Sequence, residues 1–283
     1  MDKDLPNWFG SQTKAQGLRL GESYLAALID AAEHIQRKSS RNKTDKYFVG
    51  ISGAQGSGKS TFAHLLAELL KHQYGYPSMV LALDDFYLSR EERLNLAETV
   101  HPLLAVRGVP GTHDIDLLEG VTRAIRAGER ISMPGFNKSE DDREAARSTE
   151  TNHVRIVICE GWFWGAKPQN DSELTDTVNA LEAERDQKCS WRQYVNNSLS
   201  RYQEAFQTNC LIYLAVPDLK SVLTWRWQQE QGLPEGSRKM TYPEIQEFLM
   251  YFERLTLQMM QSVPDQADIT LRLNEDHEFI EYL

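Results

Sequence analysis

The chain has 283 residues and carries 31 Lys and Arg against 41 Asp and Glu, a net charge of −10. A protein this acidic lacks the diffuse positive field that attracts nucleic acid or an anionic membrane surface, so we expect neither as a partner. With 41% hydrophobic residues, the chain has enough apolar material for a folded core, which excludes a disordered protein. The length allows one large α/β domain or two small ones.

Targeting and redox signals predict a soluble cytoplasmic protein. The first residues, Met-Asp-Lys-Asp, are acidic, and no apolar segment of a signal peptide follows them. The longest apolar run, Cys210 to Val216, is too short to cross a bilayer. The cysteines at 159, 189 and 210 are odd in number and widely spaced, which is typical of a reducing compartment.

Apolar spacing predicts alternating helices and strands along the first half of the chain. Residues 1–20 give no periodic signal, and a polar linker at 37–45 precedes the first strand. Asp114 is expected to cap the last helix of this half. The predicted elements are helix 22–37, strand 46–51, helix 59–74, strand 79–83, helix 90–98 and helix 115–127.

The second half of the chain continues the alternation, with one weakly patterned region. Residues 137–151 are polar with both signs of charge, and residues 166–208 have weak helical character that indicates an insertion. The predicted elements are strand 131–136, strand 155–161, strand 209–216, helix 218–231, a flexible loop at 232–237, helix 243–261 and strand 269–273. This order predicts an α/β fold: a mainly parallel sheet with helices on both faces.

The strongest motif is Gly-Ala-Gln-Gly-Ser-Gly-Lys-Ser at 53–60, which matches the G-x-x-x-x-G-K-[ST] pattern of a P-loop at every fixed position. A strand precedes it and a helix follows, as a phosphate cradle requires. The glycines let successive N–H groups turn toward one point, and the helix N-terminus adds unpaired donors. A glycine-rich turn that matches by chance is the alternative.

The P-loop predicts binding of ATP with Mg²⁺. Lys59 would reach the β- and γ-phosphates, and the Ser60 hydroxyl would ligate the Mg²⁺ that accompanies them. The predicted ATP-binding residues are Gly53, Ala54, Gln55, Gly56, Ser57, Gly58, Lys59, Ser60 and Thr61.

Carboxylates follow two other predicted strands, at the edge of the sheet where ligands bind. A kinase needs one carboxylate to accept the acceptor's hydroxyl proton, and Asp84 is the candidate for this base and for a metal ligand. Asp85 fits helix capping better, and Asp84 could also be a cap. Glu160 resembles a second metal-side carboxylate of a Walker B strand, although a solvated strand end is the alternative.

Five segments together resemble the D-glycerate 3-kinase-like family of P-loop kinases, whose wider group includes uridine kinase, phosphoribulokinase and bacterial pantothenate kinase. The resemblance covers most of residues 46–262. The segments are GAQGSGKS, LDDFYLS, RGVPGTHD, FNKS followed by DDR, and CEGWFWG. It implies the nucleoside/nucleotide kinase type of P-loop fold, in one kinase domain spanning 1–283, with an N-terminal helical extension over about 1–45 and a helical insertion over about 166–208.

The resemblance also assigns catalytic positions. The first carboxylate after the second strand is the base in the wider group, and this position is Asp84. A mobile lid, near 226–241, would bring Arg226 over the phosphates, although Arg226 could equally be an exposed helix residue. Asn137 stands where many relatives have Asp, so this resemblance assigns it no catalytic role.

A small acidic acceptor needs a cation for its carboxylate. Arg107, Lys138 and Arg143 lie in the family-specific loops, and the planar guanidinium ranks the two arginines above the lysine. His113 would hydrogen-bond a hydroxyl of the acceptor. Each of these charges could instead be structural, and the aromatic run at 162–164 fits either an acceptor pocket or core packing.

The leading hypothesis is therefore an ATP-dependent kinase of a small-molecule acceptor, D-glycerate, which it converts to 3-phosphoglycerate. A related kinase for a nucleoside, a sugar or a pantothenate-like alcohol is one alternative. A nucleotide-binding switch without metabolic turnover is another. A carboxylate after the second strand favours a kinase, because a switch needs no acceptor base.

Overall fold

The computed structural model describes residues 4–41, 45–233 and 239–282. The larger part of the predicted loop at 232–237, and part of the predicted linker at 37–45, lie outside these ranges. The strands are β1 Tyr47–Gly53, β2 Ser78–Ala82, β3 Ile131–Asn137, β4 Asp142–Thr149, β5 Ile156–Gly161, β6 Cys210–Ala215, β7 Ile269–Leu273 and β8 Phe279–Tyr282. The helices are α1 Leu5–Ala15, α2 Glu22–Ser39, α3 Lys59–Tyr74, α4 Arg90–Thr99, α5 Ile115–Ala127, α6 Ala180–Arg185, α7 Ser190–Ala205, α8 Leu219–Gln231 and α9 Tyr242–Ser262.

The main sheet has the strand order β2-β5-β1-β6-β7-β8, and all neighbours in it are parallel except β7 and β8. Helices lie on both faces, which confirms the predicted α/β fold. Because β1 pairs with β5 on one side and β6 on the other, the strand before the P-loop lies inside the sheet.

The central strands are buried on both faces, since successive side chains alternate between two apolar cores. Val49 and Ile51 face the first core, which α1, α2, α3 and α8 complete. Phe48 faces the second core, together with side chains from α5, α7 and α9. Near-continuous apolar runs therefore predicted β1, β5 and β6 well.

The structure differs from the sequence-based expectation where an element buries little surface. Helix α1 lies in the region without periodic signal and buries only Leu5, Phe9 and Thr13. Strand β8 adds an antiparallel edge and was not expected; Phe279 is its buried residue. The predicted strand at 131–136 is present as β3, but it pairs with β4 in a separate hairpin formed from the polar segment.

Helices α6 and α7 lie in the predicted insertion at 166–208, where a 3₁₀ turn at Asp171–Leu174 precedes them. Leu181, Trp191 and Leu199 bury their side chains in the second core. Among the described residues, no helix is both long and apolar enough to span a membrane.

Gly50 of β1 generates a test of the packing. A Cβ atom at this position would lie 2.7 Å from Cδ1 of Trp164, which is fully buried. We expect Gly50→Ala to lower the free energy of unfolding by about 1–3 kcal/mol, because the indole has no room to move. Denaturant unfolding measures this loss.

Gly120→Ala is the matched control, since Gly120 lies on the exposed face of α5 and its Cβ would meet nothing within 4 Å. It should leave stability unchanged or raise it by up to about 1 kcal/mol through helix propensity. Equal stability of the Gly50 variant and the wild type would contradict the packing described.

Candidate active site

Three polar segments meet at the carboxyl edge of the sheet, as the sequence predicted. Strand β5 lies between β1 and β2, and its Glu160 is in register with Ile51 on one side and Ala82 on the other. The P-loop follows β1, and a 3₁₀ turn at Leu83–Phe86 follows β2. The register therefore places the P-loop, Glu160 and the Asp84-Asp85 pair next to one another.

The P-loop ends in the left-handed residue Gly58, and α3 begins at Lys59. The amide groups of a helix's first turn have no earlier carbonyl within the helix to bond, so they remain available for an anion. The Ser60 hydroxyl donates to Glu160 Oε1 over 2.6 Å. This contact joins the P-loop to the Walker B type strand, and it provides two oxygens of the kind that Mg²⁺ prefers.

Gly56 has φ +79, a left-handed conformation that favours glycine. A Cβ atom here would also lie 3.0 Å from Cβ of Trp225 and 3.5 Å from the Arg226 backbone nitrogen, so α8 packs directly on the P-loop. The Arg226 side chain is 23% exposed and pairs with Glu230 at 2.8 Å. The predicted phosphate-contacting arginine thus lies beside the P-loop, held on its own helix.

Asp84 lies at the centre of a charged cluster. Its carboxylate accepts a hydrogen bond from the Tyr87 hydroxyl at 2.7 Å and pairs with Lys138 Nζ at 2.5 Å. Burial raises the pKa of Asp84, but the nearby Lys138 and Lys59 outweigh it and lower the pKa to about 2. Asp84 is therefore a stable carboxylate, electrostatically linked to the P-loop lysine.

Asp85 does not cap a helix, because Ser89 is the N-cap of α4. Capping is therefore the wrong interpretation of the pair. Burial raises the pKa of Asp85 to about 6, and the Asp84 and Glu160 carboxylates add to this rise. Asp84 and Asp85 lie on a 3₁₀ turn and not in a strand. Their side chains therefore do not follow the alternation between two faces that a strand would impose.

The β3–β4 hairpin brings Lys138, one of the predicted acceptor-site cations, to Asp84. Lys138 lies at its tip, and Arg107 donates to the Lys138 carbonyl at 3.4 Å and pairs with Asp141. Arg93, buried on α4, anchors the same tip: it donates to the Asp141 carbonyl at 2.7 Å. Sequence reasoning missed Arg93, because a charge on a helix with few apolar residues resembles a solvated one.

Arg143 of β4 reaches the same cluster from the other side. It donates to the Tyr87 carbonyl at 2.9 Å and pairs with Asp114 at 3.0 Å. Asp114 also caps α5 as predicted, by accepting the Leu117 amide. Arg107, Lys138 and Arg143 are therefore brought together, and each already has a protein partner.

Tyr87 was not predicted as a site residue, although it lies in the LDDFYLS segment. Its hydroxyl contacts Asp84, its carbonyl contacts Arg143, and its backbone bridges to His113. The spacing of three residues within a turn is the signal that could have identified the Asp84 contact. Tyr87 joins the base candidate to the acceptor-site loop.

His113 is buried, with its ring 4.7 Å from that of Tyr87. Burial lowers the pKa of His113 to about 3, so the ring is neutral. Its Nδ1 lies 2.9 Å from the Tyr202 hydroxyl, which already accepts the Gly111 amide and so has its own proton to donate. Nε2 then carries the N–H, and it has no partner within the described residues.

The aromatic run at 162–164 packs in the second core. All three rings are buried, and Trp162 donates to the Gly108 carbonyl at 2.8 Å. This bond fixes the loop that bears Arg107. Core packing is thus the principal role of these residues.

The geometry agrees with comparisons to known proteins. The Phosphoribulokinase / Uridine kinase family model matches residues 48–193. Over 245 residues the chain is 31% identical to the uncharacterized kinase mug58 of Schizosaccharomyces pombe, with 81% of this chain and 87% of that protein covered. It is 30% identical to the probable ATP-dependent kinase TDA10 of Saccharomyces cerevisiae, with 71% of this chain and 73% of that protein covered.

A solved structure has the same architecture. The D-glycerate 3-kinase of Cryptococcus neoformans superimposes with a TM-score of 0.77 and 25% identity, covering 91% of this chain and 98% of that one. The matched region includes the P-loop, the Asp84-Asp85 turn and Glu160. The chain therefore belongs to the phosphoribulokinase/uridine kinase family and is a P-loop kinase.

Proposed function

We propose that this protein transfers the γ-phosphoryl group of ATP to a hydroxyl of a small hydroxy acid, and that D-glycerate, converted to 3-phosphoglycerate, is the leading acceptor. One observation carries the proposal. The Asp84 carboxylate lies within the field of the P-loop Lys59 and pairs with Lys138, one of the cations of the proposed acceptor site. The similar solved structure, a D-glycerate 3-kinase, supports the choice of acceptor.

Mg²⁺ fits the contact between the P-loop and β5. Ser60 and Glu160 would hold the ion directly or through water, with Asp84 on the acceptor side. Among the described residues, no three His, Cys, Asp or Glu side chains cluster closely enough to enclose a metal by themselves. This agrees with a Mg²⁺ site completed by phosphate oxygens and water. When bound, Mg²⁺ supplies charge neutralisation between the phosphates.

Asp84 has the role of accepting the acceptor's hydroxyl hydrogen. A carboxylate with a pKa of about 2 holds a proton weakly, so it orients the hydroxyl and receives its proton only as the P–O bond forms. Lys138 is 62% exposed and can turn toward an acceptor carboxylate. Its departure would raise the pKa of Asp84, which makes Asp84 a better base once the acceptor is bound.

The acceptor's other groups have candidate partners in the same cluster. Arg107 and Arg143 provide guanidinium groups suited to a carboxylate. His113 Nε2 is a buried donor in need of an oxygen partner, which a hydroxyl of the acceptor would supply. Arg226, on the helix over the P-loop, is the proposed cation for the transferring phosphoryl group. The predicted lid near 226–241 includes residues 234–238, which lie outside the described ranges.

A phosphorylation screen tests the proposal. Purified protein would receive ATP and Mg²⁺ with hydroxy acids, nucleosides, sugars and pantothenate, and Lys59→Ala would serve as the inactive control. D-Glycerate should be phosphorylated far better than glycerol, which lacks the carboxylate. Phosphorylation of uridine without glycerate would favour a nucleoside kinase, and ATP binding without any acceptor would favour a switch.

Asp84→Asn should lower kcat by about a hundredfold or more, the usual scale for losing a general base, with ATP binding unchanged. Lys138→Met should raise the pKa of Asp84, so the acid limb of the kcat/KM profile should move to higher pH. Steady-state kinetics across pH measure both. Lys188→Met, at an exposed lysine, is the matched control. Full turnover by Asp84→Asn would rule out Asp84 as the base.

Arg107→Ala and Arg143→Ala should each raise the KM for D-glycerate by roughly ten- to a hundredfold, because a charge-assisted hydrogen bond is lost. The KM for ATP should stay nearly constant. Arg201→Ala removes an arginine that is 62% exposed and pairs with the exposed Asp116, so it should change neither KM. A parallel rise of both KM values would indicate a structural role instead.

Asp85 predicts a pH dependence of stability. The raised pKa means that the folded state binds this proton more tightly than the unfolded chain does, so stability falls as pH rises between about 4 and 6. Asp85→Asn should therefore raise Tm at about pH 7.5 and leave it unchanged at about pH 4. Asp265→Asn, at an exposed carboxylate, is the control. Equal Tm values for the wild type and Asp85→Asn at the higher pH would contradict carboxylate crowding.

A further inference from the structure

The turn between β7 and β8 is rigidly built around Asn274. The Asn274 side-chain oxygen accepts hydrogen bonds from the backbone amides of Asp276 at 3.0 Å and Glu278 at 2.9 Å. The backbone amide of Asn274 donates to the Glu278 carbonyl at 2.9 Å. The His277 amide donates to the Asn274 carbonyl at 3.2 Å. These bonds hold His277 at φ +62, in the left-handed region.

His277 reaches the P-loop from this turn. Its Nε2 lies 2.8 Å from the Gly56 carbonyl oxygen, 221 positions away in the chain. A carbonyl oxygen only accepts, so Nε2 carries the proton and donates it. Burial lowers the pKa of His277, and the hydrogen bond to the Gly56 carbonyl opposes this shift in part.

The imidazole is also held from the side. It stacks on the Trp225 ring, with centroids 3.9 Å apart and planes 29° from parallel. Trp225 in turn donates from Nε1 to the Glu275 carbonyl at 2.8 Å, and its Cβ packs against Gly56. The turn, α8 and the P-loop therefore interlock through three contacts.

The hydrogen bond from His277 secures one end of the Gly56–Ser57 peptide group. At the other end, the Ser57 amide donates to the Ala54 carbonyl at 3.2 Å. A peptide group held at both its C=O and N–H cannot flip. Fixing this peptide keeps Gly56 in its left-handed conformation and so keeps the following amides directed at the phosphates.

The left-handed backbone conformation of His277 indicates that the contacts of its side chain, rather than the turn itself, favour histidine at this position. A residue other than glycine in the left-handed region carries strain, and Gly or Asn would suit the turn alone better. Such strain persists where surrounding contacts maintain it. Here the contacts are the bond to Gly56 and the stack on Trp225.

We propose that His277 is a positioning residue of the phosphate site, which holds the Gly56 carbonyl away from the nucleotide and so preorganises the P-loop for the polyphosphate of ATP. The inference rests on the proposed use of ATP. The affinity of the P-loop for phosphate groups would therefore depend on the turn between β7 and β8.

Three variants separate the hydrogen bond from the stack. His277→Phe keeps a ring on Trp225 but removes the donor, His277→Gln keeps an N–H donor without the ring, and His277→Ala removes both. His153→Phe is the matched control, because His153 is exposed and its ring nitrogen lies 3.4 Å from the side-chain oxygen of its neighbour Asn152. Calorimetry would measure binding of ATP, ADP, adenosine and inorganic tripolyphosphate, and thermal unfolding would confirm that each variant is folded.

We expect His277→Phe and His277→Ala to bind ATP, ADP and tripolyphosphate roughly three- to tenfold more weakly, the effect of one hydrogen bond, with adenosine binding unchanged. His277→Gln should recover part of this loss. In kinetics, the KM for ATP should rise by the same factor while the KM for the acceptor stays constant.

Two outcomes would overturn the inference: ATP binding by folded His277→Phe equal to the wild type, or an equal loss of ATP and adenosine. A His277→Ala variant that fails to fold leaves the Phe and Gln comparison to decide. Wild-type protein that binds no ATP would instead refute the proposed function.

Discussion

The site depends on the position of β5 between β1 and β2. This pairing sets Glu160 level with Ala82 at the end of β2 and with Ile51 near the end of β1, and the hydrogen bond from Ser60 then ties the P-loop to β5. Parallel strands end at one edge, so a motif after each of them is enough to assemble a site. Substitutions that shift the register of β5 would separate Glu160 from Ser60 of the P-loop without replacing either residue.

Charge balance is the second determinant. Burial, together with the neighbouring Asp84 and Glu160 carboxylates, raises the pKa of Asp85 at this edge to about 6. Lys138 offsets part of the repulsion between these carboxylates through its ion pair with Asp84. It lies on the β3–β4 hairpin, which is separate from the main sheet. The hairpin therefore stabilises the Asp84 carboxylate, and under the proposed function an acidic acceptor would compete with Asp84 for Lys138.

Sequence patterns predicted the parts of the fold in which one physical signal dominates. Buried parallel strands appear in the sequence as apolar runs, so β1, β5 and β6 were predictable. The P-loop has glycines at fixed positions, so the carboxyl edge of the sheet could be identified as the site. Strand β4 was not, because its side chains are mostly exposed and show no apolar alternation. The site's ion pairs could not be predicted either: Arg93 and Asp141 lie far apart in the chain, and only the folded hairpin brings them together.

The wide separation of these contacts in the chain has a consequence for biosynthesis. The bond between Ser60 and Glu160 spans 100 positions, and that between Gly56 and His277 spans 221. A ribosome releases the P-loop long before it makes either partner, so the cradle cannot be completed while the chain emerges. Topologies dominated by such distant contacts fold slowly. While the chain is being made, β1 therefore lacks its neighbours β5 and β6, and its side chains reach their final packing only after those strands have emerged.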